Sequence, residues 1–64
     1  MNEVHENFVK RLNNEIDSYD TEAAHSIADD ILCEIAISAV KDELSLSEVE
    51  HLIYLYNRVP KWYA

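Results

Sequence analysis

Residues 21–41, TEAAHSIADDILCEIAISAVK, carry the helical apolar pattern that decides the fold of this 64-residue chain. Apolar residues recur there at steps of three and four, which places them on one side of an α-helix. That inner side is predicted to hold Ala24, Ile27, Ala28, Ile31, Leu32, Ile35 and Ala39. Near the C-terminal end, Ile37 and Val40 fall on the opposite, polar side, so residues 35–40 are apolar nearly all round. The pattern predicts a helix whose last turns need a cover.

Residues 46–58 are predicted to form the last helix of the chain. Ser45 and Glu48 match a capping box, in which each side chain accepts the other residue's main-chain N–H. Leu44 can pack onto Val49 as a hydrophobic staple, and Pro60 ends the helix. The inner face of this helix is predicted to hold Leu46, Val49, Leu52, Ile53 and Tyr56.

Residues 2–18 are predicted to form the first helix of the chain, with Asn2 as its cap. Its apolar stripe is Val4, Phe8, Leu12, Ile16 and Tyr19, at steps of four, four, four and three. We therefore predict a single all-α domain over residues 1–64, with three helices at about 2–18, 21–41 and 46–58 and an aromatic tail at 60–64. A chain this short buries only about 60% of its unfolded surface, so we expect a homodimer.

The charge of the chain restricts its partners. Thirteen acidic and five basic residues give a net charge of −8, which disfavours direct binding to nucleic acid or to anionic membranes. The exposed acidic surface is predicted to include Glu3, Glu6 and Asp17. It either keeps the protein soluble or attracts a basic protein surface, and a DNA mimic is one alternative.

Several other classes are excluded or disfavoured by composition. The chain has no glycine, which excludes glycine-rich phosphate-binding loops, and no apolar run long enough to cross a bilayer. Its N-terminus lacks a secretory signal, and the single Cys33 cannot form an internal disulfide, so we expect a cytoplasmic protein. We expect no cofactor.

One helix face offers metal ligands. Glu22, His25, Asp29 and Cys33 follow one another at steps of three, four and four. A straight helix spreads these four groups over about 16 Å, so at most two adjacent ones could share an ion. An ordinary helix-dipole contact and an i, i+4 pair explain the same residues. A metal-dependent hydrolase built on Glu22, His25 and Asp29 is therefore an alternative, and we expect binding rather than catalysis.

Aromatic and basic residues concentrate near the C-terminus, at Tyr54, Arg58, Trp62 and Tyr63. Tyr, Trp and Arg are enriched at protein interfaces, so these four residues are the predicted partner-binding set. The tail has a second interpretation, because Trp62 could fold back over Ile37 and Val40. We expect Trp62 to be at least partly buried there, with an exposed anchor as the alternative.

Residues 20–32 and 61–64 also carry a resemblance. They match the patterns D-T-E-x2-H-x2-A-D-[DE]-x-L and K-W-Y-A, and on these residues the chain resembles a group of short proteins found mainly in phages and prophages. The resemblance brings no activity and no functional residue with it. It implies an accessory role, which we expect to consist of binding a host protein in the host cytoplasm.

Overall fold

Three α-helices make up the fold of residues 2–60, the part of the chain that the computed structural model describes. They are α1 (Glu3–Ile16), α2 (Thr21–Val40) and α3 (Leu46–Arg58), and each packs against the other two. The described residues contain no strand. The all-α, three-helix prediction is confirmed, and α1 is shorter at both ends than the 2–18 expected.

Each helix begins at a polar side chain that accepts a main-chain N–H. The side chain of Asn2 accepts from Val4 at the start of α1, and that of Asp20 accepts from Ala23 at the start of α2. The predicted capping box is present before α3, where Ser45 Oγ accepts from the Glu48 N–H at 3.2 Å. The Ser45 N–H donates to Glu48 Oε1 at 2.8 Å. These contacts satisfy donors that the first turn of a helix leaves unpaired.

The turn between α2 and α3 contains an unusual backbone conformation. Asp42 has φ 61°, the left-handed region that glycine usually occupies after a helix. Its N–H donates to Ala39 O at 3.1 Å, and the Glu43 N–H donates to Ser38 O at 2.9 Å. This pair of bonds is a Schellman motif, which ends α2 and brings Leu44 into the core.

Apolar side chains from all three helices and from the residues that flank α3 form one core. Its buried members are Phe8, Leu12, Ala24, Ala28, Ile31, Ile35, Leu44, Leu52, Leu55 and Val59. In α2 the buried positions follow steps of four, three and four, as predicted. Val4, Val9, Ile16, Val49 and Tyr56 pack against this core while half-buried.

Four residues predicted on the inner faces are exposed instead. Tyr19 lies beyond the end of α1, so the stripe of that helix no longer positions it. Leu46 is the first residue of α3, and Ile27 lies at the edge of the narrow buried arc of α2. Ile53 is exposed because α3 turns Leu52 and Leu55 towards the core. Of the predicted inner face of α3, Leu52 is buried and Val49 and Tyr56 pack against the core, as predicted, whereas Leu55 is buried in place of Leu46 and Ile53.

Candidate functional site

The predicted metal-binding face on α2 is only partly assembled. Glu22 and Cys33 are exposed, whereas His25 and Asp29 are half-buried and lie beside each other. The Nε2 atom of His25 is 3.4 Å from Asp29 Oδ2, at the i, i+4 spacing of an ordinary helix pair. Within residues 2–60, no group of three or more His, Cys, Asp or Glu side chains could hold a metal ion.

The carboxylate of Asp29 already serves a structural contact. The hydroxyl of Tyr56 on α3 donates to Asp29 Oδ1 at 2.5 Å, which ties α3 to α2. The Nδ1 atom of His25 is buried and forms no hydrogen bond among the described residues. His25 therefore has Nε2 beside Asp29 and Nδ1 buried.

The predicted partner-binding residues on α3 have a defined geometry. Tyr54 is 58% exposed, and the guanidinium carbon of Arg58 lies 6.0 Å from the centre of its ring. The two residues are one turn apart on the same side of the helix. Trp62 and Tyr63, the other two members of the predicted set, lie outside the described residues.

The predicted acidic surface is exposed on α1 and just beyond it. Glu3, Glu6 and Asp17 all face solvent, with the exposed Lys10 between them along the chain. Elsewhere on α1, Arg11 is engaged: it forms two hydrogen bonds to Glu34 of α2, at 2.9 and 2.7 Å. The bond from Arg11 lowers the pKa of the Glu34 carboxyl group.

The C-terminal end of α2 carries an exposed apolar surface, which we call the α2 apolar surface. Ile37 is 55% exposed and Val40 87% exposed, and with Ala36 and Lys41 they line a depression of about 270 Å³. A contiguous exposed apolar surface is a candidate interaction site. The predicted cover, Trp62, lies outside the described residues.

Sequence reasoning missed one polar pair between α1 and α3, the buried His5 and the exposed His51. His5 is 3% exposed, and its Nε2 lies 2.9 Å from Nδ1 of His51 on α3. The ring centres are 5.1 Å apart, so the rings meet end to end. The sequence could have predicted that His5 is buried, because it stands three residues before Phe8 and seven before Leu12, on the apolar stripe of α1.

Searches of protein-family models, of curated proteins and of solved structures found no match to this chain. In residues 2–60, none of the three helices has the length and apolar character needed to span a membrane.

Proposed function

We propose that this chain is a small accessory protein that acts by binding another protein, and that Tyr54 and Arg58 anchor the partner. The observation that carries the proposal is the exposed tyrosine held against an arginine on the outer side of α3. Tyr and Arg are the residue types that most often dominate the binding energy of protein interfaces. The phage resemblance of residues 20–32 makes a host protein the proposed partner.

The closeness of the two side chains favours binding. At 6.0 Å from the ring centre, the Arg58 guanidinium lies at the outer limit of a cation–π interaction with Tyr54, and this attraction keeps both side chains on one side of α3 before a partner arrives, which lowers the entropy lost on association. Arg58 forms no salt bridge within residues 2–60, whereas Arg11 is engaged by Glu34. The guanidinium of Arg58 therefore has N–H groups to donate to a partner's carboxylate or carbonyl oxygen.

The acidic surface supports a partner that is basic around this anchor. A net charge of −8 with exposed carboxylates at Glu3, Glu6 and Asp17 accelerates encounter with a positively charged surface. A DNA mimic would use the same carboxylates as substitutes for phosphates. Lys10 interrupts the acidic row on α1, and this favours general electrostatic attraction over a phosphate-like track.

A binding experiment tests the anchor. The chain is used as bait in host lysate, the captured protein is purified, and its affinity is measured by calorimetry for wild type, Tyr54→Ala, Arg58→Ala and the double variant. Each single change should weaken binding by about 30-fold, as expected when a residue that dominates an interface is removed. Asn57→Ala, at an exposed position of the same helix, is the matched control and should bind as the wild type does.

Stability measurements on the same variants separate loss of binding from unfolding. All three positions are exposed, so their substitution should change the free energy of unfolding by less than about 0.5 kcal/mol. Wild-type affinity in both Tyr54→Ala and Arg58→Ala would contradict the proposal. Affinity that does not change with salt concentration would remove the basic partner while leaving the anchor in place.

We also propose that two copies associate, as the short chain led us to expect. Ile37, Val40, Leu46 and Ile53 are exposed apolar side chains of α2 and α3 that a homodimer could bury. Sedimentation at high micromolar concentration should give a dimer mass, and Leu46→Lys or Val40→Lys should shift the mass towards the monomer. A concentration-independent monomer mass for the wild type would contradict the dimer.

A further inference from the structure

The contact between His5 and His51 depends on protons, because two imidazole nitrogens 2.9 Å apart form a hydrogen bond only when one carries a proton and the other does not. His5 is on α1 and His51 is on α3, so this bond is a direct polar link between the first and last helices. Arg11 with Glu34 links α1 to α2, and Asp29 with Tyr56 links α2 to α3. Of these links, the pair of histidines alone is built from imidazoles, the side-chain type whose ordinary pKa lies in the physiological range.

The buried environment of His5 decides which nitrogen carries the proton. The Nδ1 atom of His5 is buried and without a hydrogen-bond partner among the described residues. A proton on Nδ1 would be a buried donor with no acceptor, which is the more costly arrangement. Neutral His5 therefore carries its proton on Nε2 and donates to Nδ1 of His51.

It follows that an additional proton disturbs the contact. Neutral His51 carries its own proton on Nε2, so the two nitrogens still open to a proton are His51 Nδ1, which accepts from His5, and the Nδ1 atom of His5 itself. A proton on His51 Nδ1 makes two N–H groups face each other. A proton on His5 Nδ1 keeps the bond, but it is a buried donor to which the described residues offer no acceptor.

The groups around the pair do not remove this conflict. From α3, the Glu48 carboxylate interacts with His5 and Asn2, and its pKa is lowered chiefly by the Ser45 N–H that donates to it. From the turn, the main-chain oxygen of Glu43 accepts from the Asn2 side chain. At the end of α2, the charged residues Lys41 and Asp42 are exposed. Glu48 attracts a positive imidazole, but it cannot create a bare nitrogen between two protonated ones.

We propose that His5 and His51 form a pH-sensitive clasp, which holds α1 against α3 while the facing nitrogens share one proton and opens when both are protonated. The folded protein then binds at least one proton fewer than the unfolded chain, in which both imidazoles are free. By linkage, its stability falls as pH falls. Because an imidazole in water takes its proton near pH 6.5, the loss begins at about that pH.

The first test compares pH profiles of unfolding in urea. His5→Gln places an amide where Nε2 lies, and the amide can turn its oxygen towards His51, so this variant keeps the hydrogen bond without the conflict. Below pH 6.5, the unfolding equilibrium constant of the wild type should rise by about tenfold per pH unit relative to His5→Gln. His25→Gln removes another imidazole with the same change of charge, and it should keep the wild-type slope. Equal slopes for wild type and His5→Gln would overturn the clasp.

The second test needs no substitution. Nitrogen chemical shifts of the imidazoles, measured by NMR as pH is lowered from 8, report which ring nitrogens are protonated. In the folded protein, His51 Nδ1 should stay without a proton at pH values at which His25, the internal reference, is fully protonated. Protonation of both facing nitrogens with unchanged contacts between α1 and α3 would refute the proposal.

Discussion

Two regions of the molecule carry similar aliphatic side chains in opposite environments. One is the interface between α1 and α3, which we call the seam, and the other is the C-terminal end of α2. Leu12 and Leu52, from α1 and α3, are fully buried and meet in one core, whereas Ile37 and Val40 of α2 face solvent. Large aliphatic side chains stand at all four positions. The difference shows that an apolar residue in this small bundle is buried only where a second helix passes over it.

The largest expected effect separates these two regions directly. Leu52→Ala removes a fully buried side chain and should lower the free energy of unfolding by about 2–5 kcal/mol. Ile37→Ala should cost much less than Leu52→Ala, since the Ile37 side chain is more than half exposed among the described residues. Urea denaturation followed by circular dichroism measures both. Similar costs for the two variants would mean that the α2 apolar surface is covered in solution.

A shorter chain tests what covers that surface. The sequence predicts that Trp62 packs against Ile37 and Val40, and partial burial of an indole would stabilise the fold by about 1–3 kcal/mol. A chain of residues 1–60 should then melt at a lower temperature, and Trp62 fluorescence in the full chain should be shifted to the blue. Val40→Lys in the full chain should reproduce part of the loss. If the shorter chain melts at the wild-type temperature and Trp62 fluoresces as a hydrated indole, the tail becomes part of the binding anchor.

A smaller effect is expected where α3 begins beside the seam. Ser45→Ala removes the side chain that accepts from the Glu48 N–H and should cost about 1 kcal/mol. Asp20→Ala removes the corresponding cap of α2 and provides the comparison. Equal stability of Ser45→Ala and wild type in urea would show that the capping box does not stabilise the isolated chain.

The capping box also predicts an acid response distinct from that of the histidines. The Ser45 N–H lowers the pKa of the Glu48 carboxyl group below its value in the unfolded chain. The ionised carboxylate therefore stabilises the fold fully at pH values above the unfolded pKa. That contribution is lost as pH falls through the folded pKa, in the carboxyl range. Glu48→Gln keeps the capping contact and should remove this component of the acid profile. An unchanged profile below pH 5 would contradict the assignment.

The smallest expected effect concerns metal ions. His25 and Asp29 are a pair rather than a group of three ligands, so Zn²⁺ or Mn²⁺ should leave the melting temperature unchanged. A stoichiometric micromolar site in a calorimetric titration, abolished by His25→Ala, would contradict this expectation. Such a site would move the hydrolase hypothesis ahead of protein binding.

Most of the helix boundaries could be predicted from the sequence, but fewer of the buried contacts could. The caps at Asn2 and Ser45 and the breaker Pro60 are local signals, so the helices begin and end close to where the sequence predicts. Of the predicted sites, Tyr54 and Arg58 do lie together in the open, because i, i+4 spacing on one helix requires no tertiary information. The contact between His25 and Asp29 follows from the same rule.

The amino-acid sequence by itself determined three helices, their caps, a strongly acidic surface and one helix end that is apolar all round. The tertiary structure alone decided that α3 turns Leu55 rather than Ile53 to the core, and that His5 meets His51 across the seam. The physical reason is that periodicity is a property of a single helix. The rotation of a helix about its axis, and the neighbours that each side chain gains, are set by packing against the other two helices.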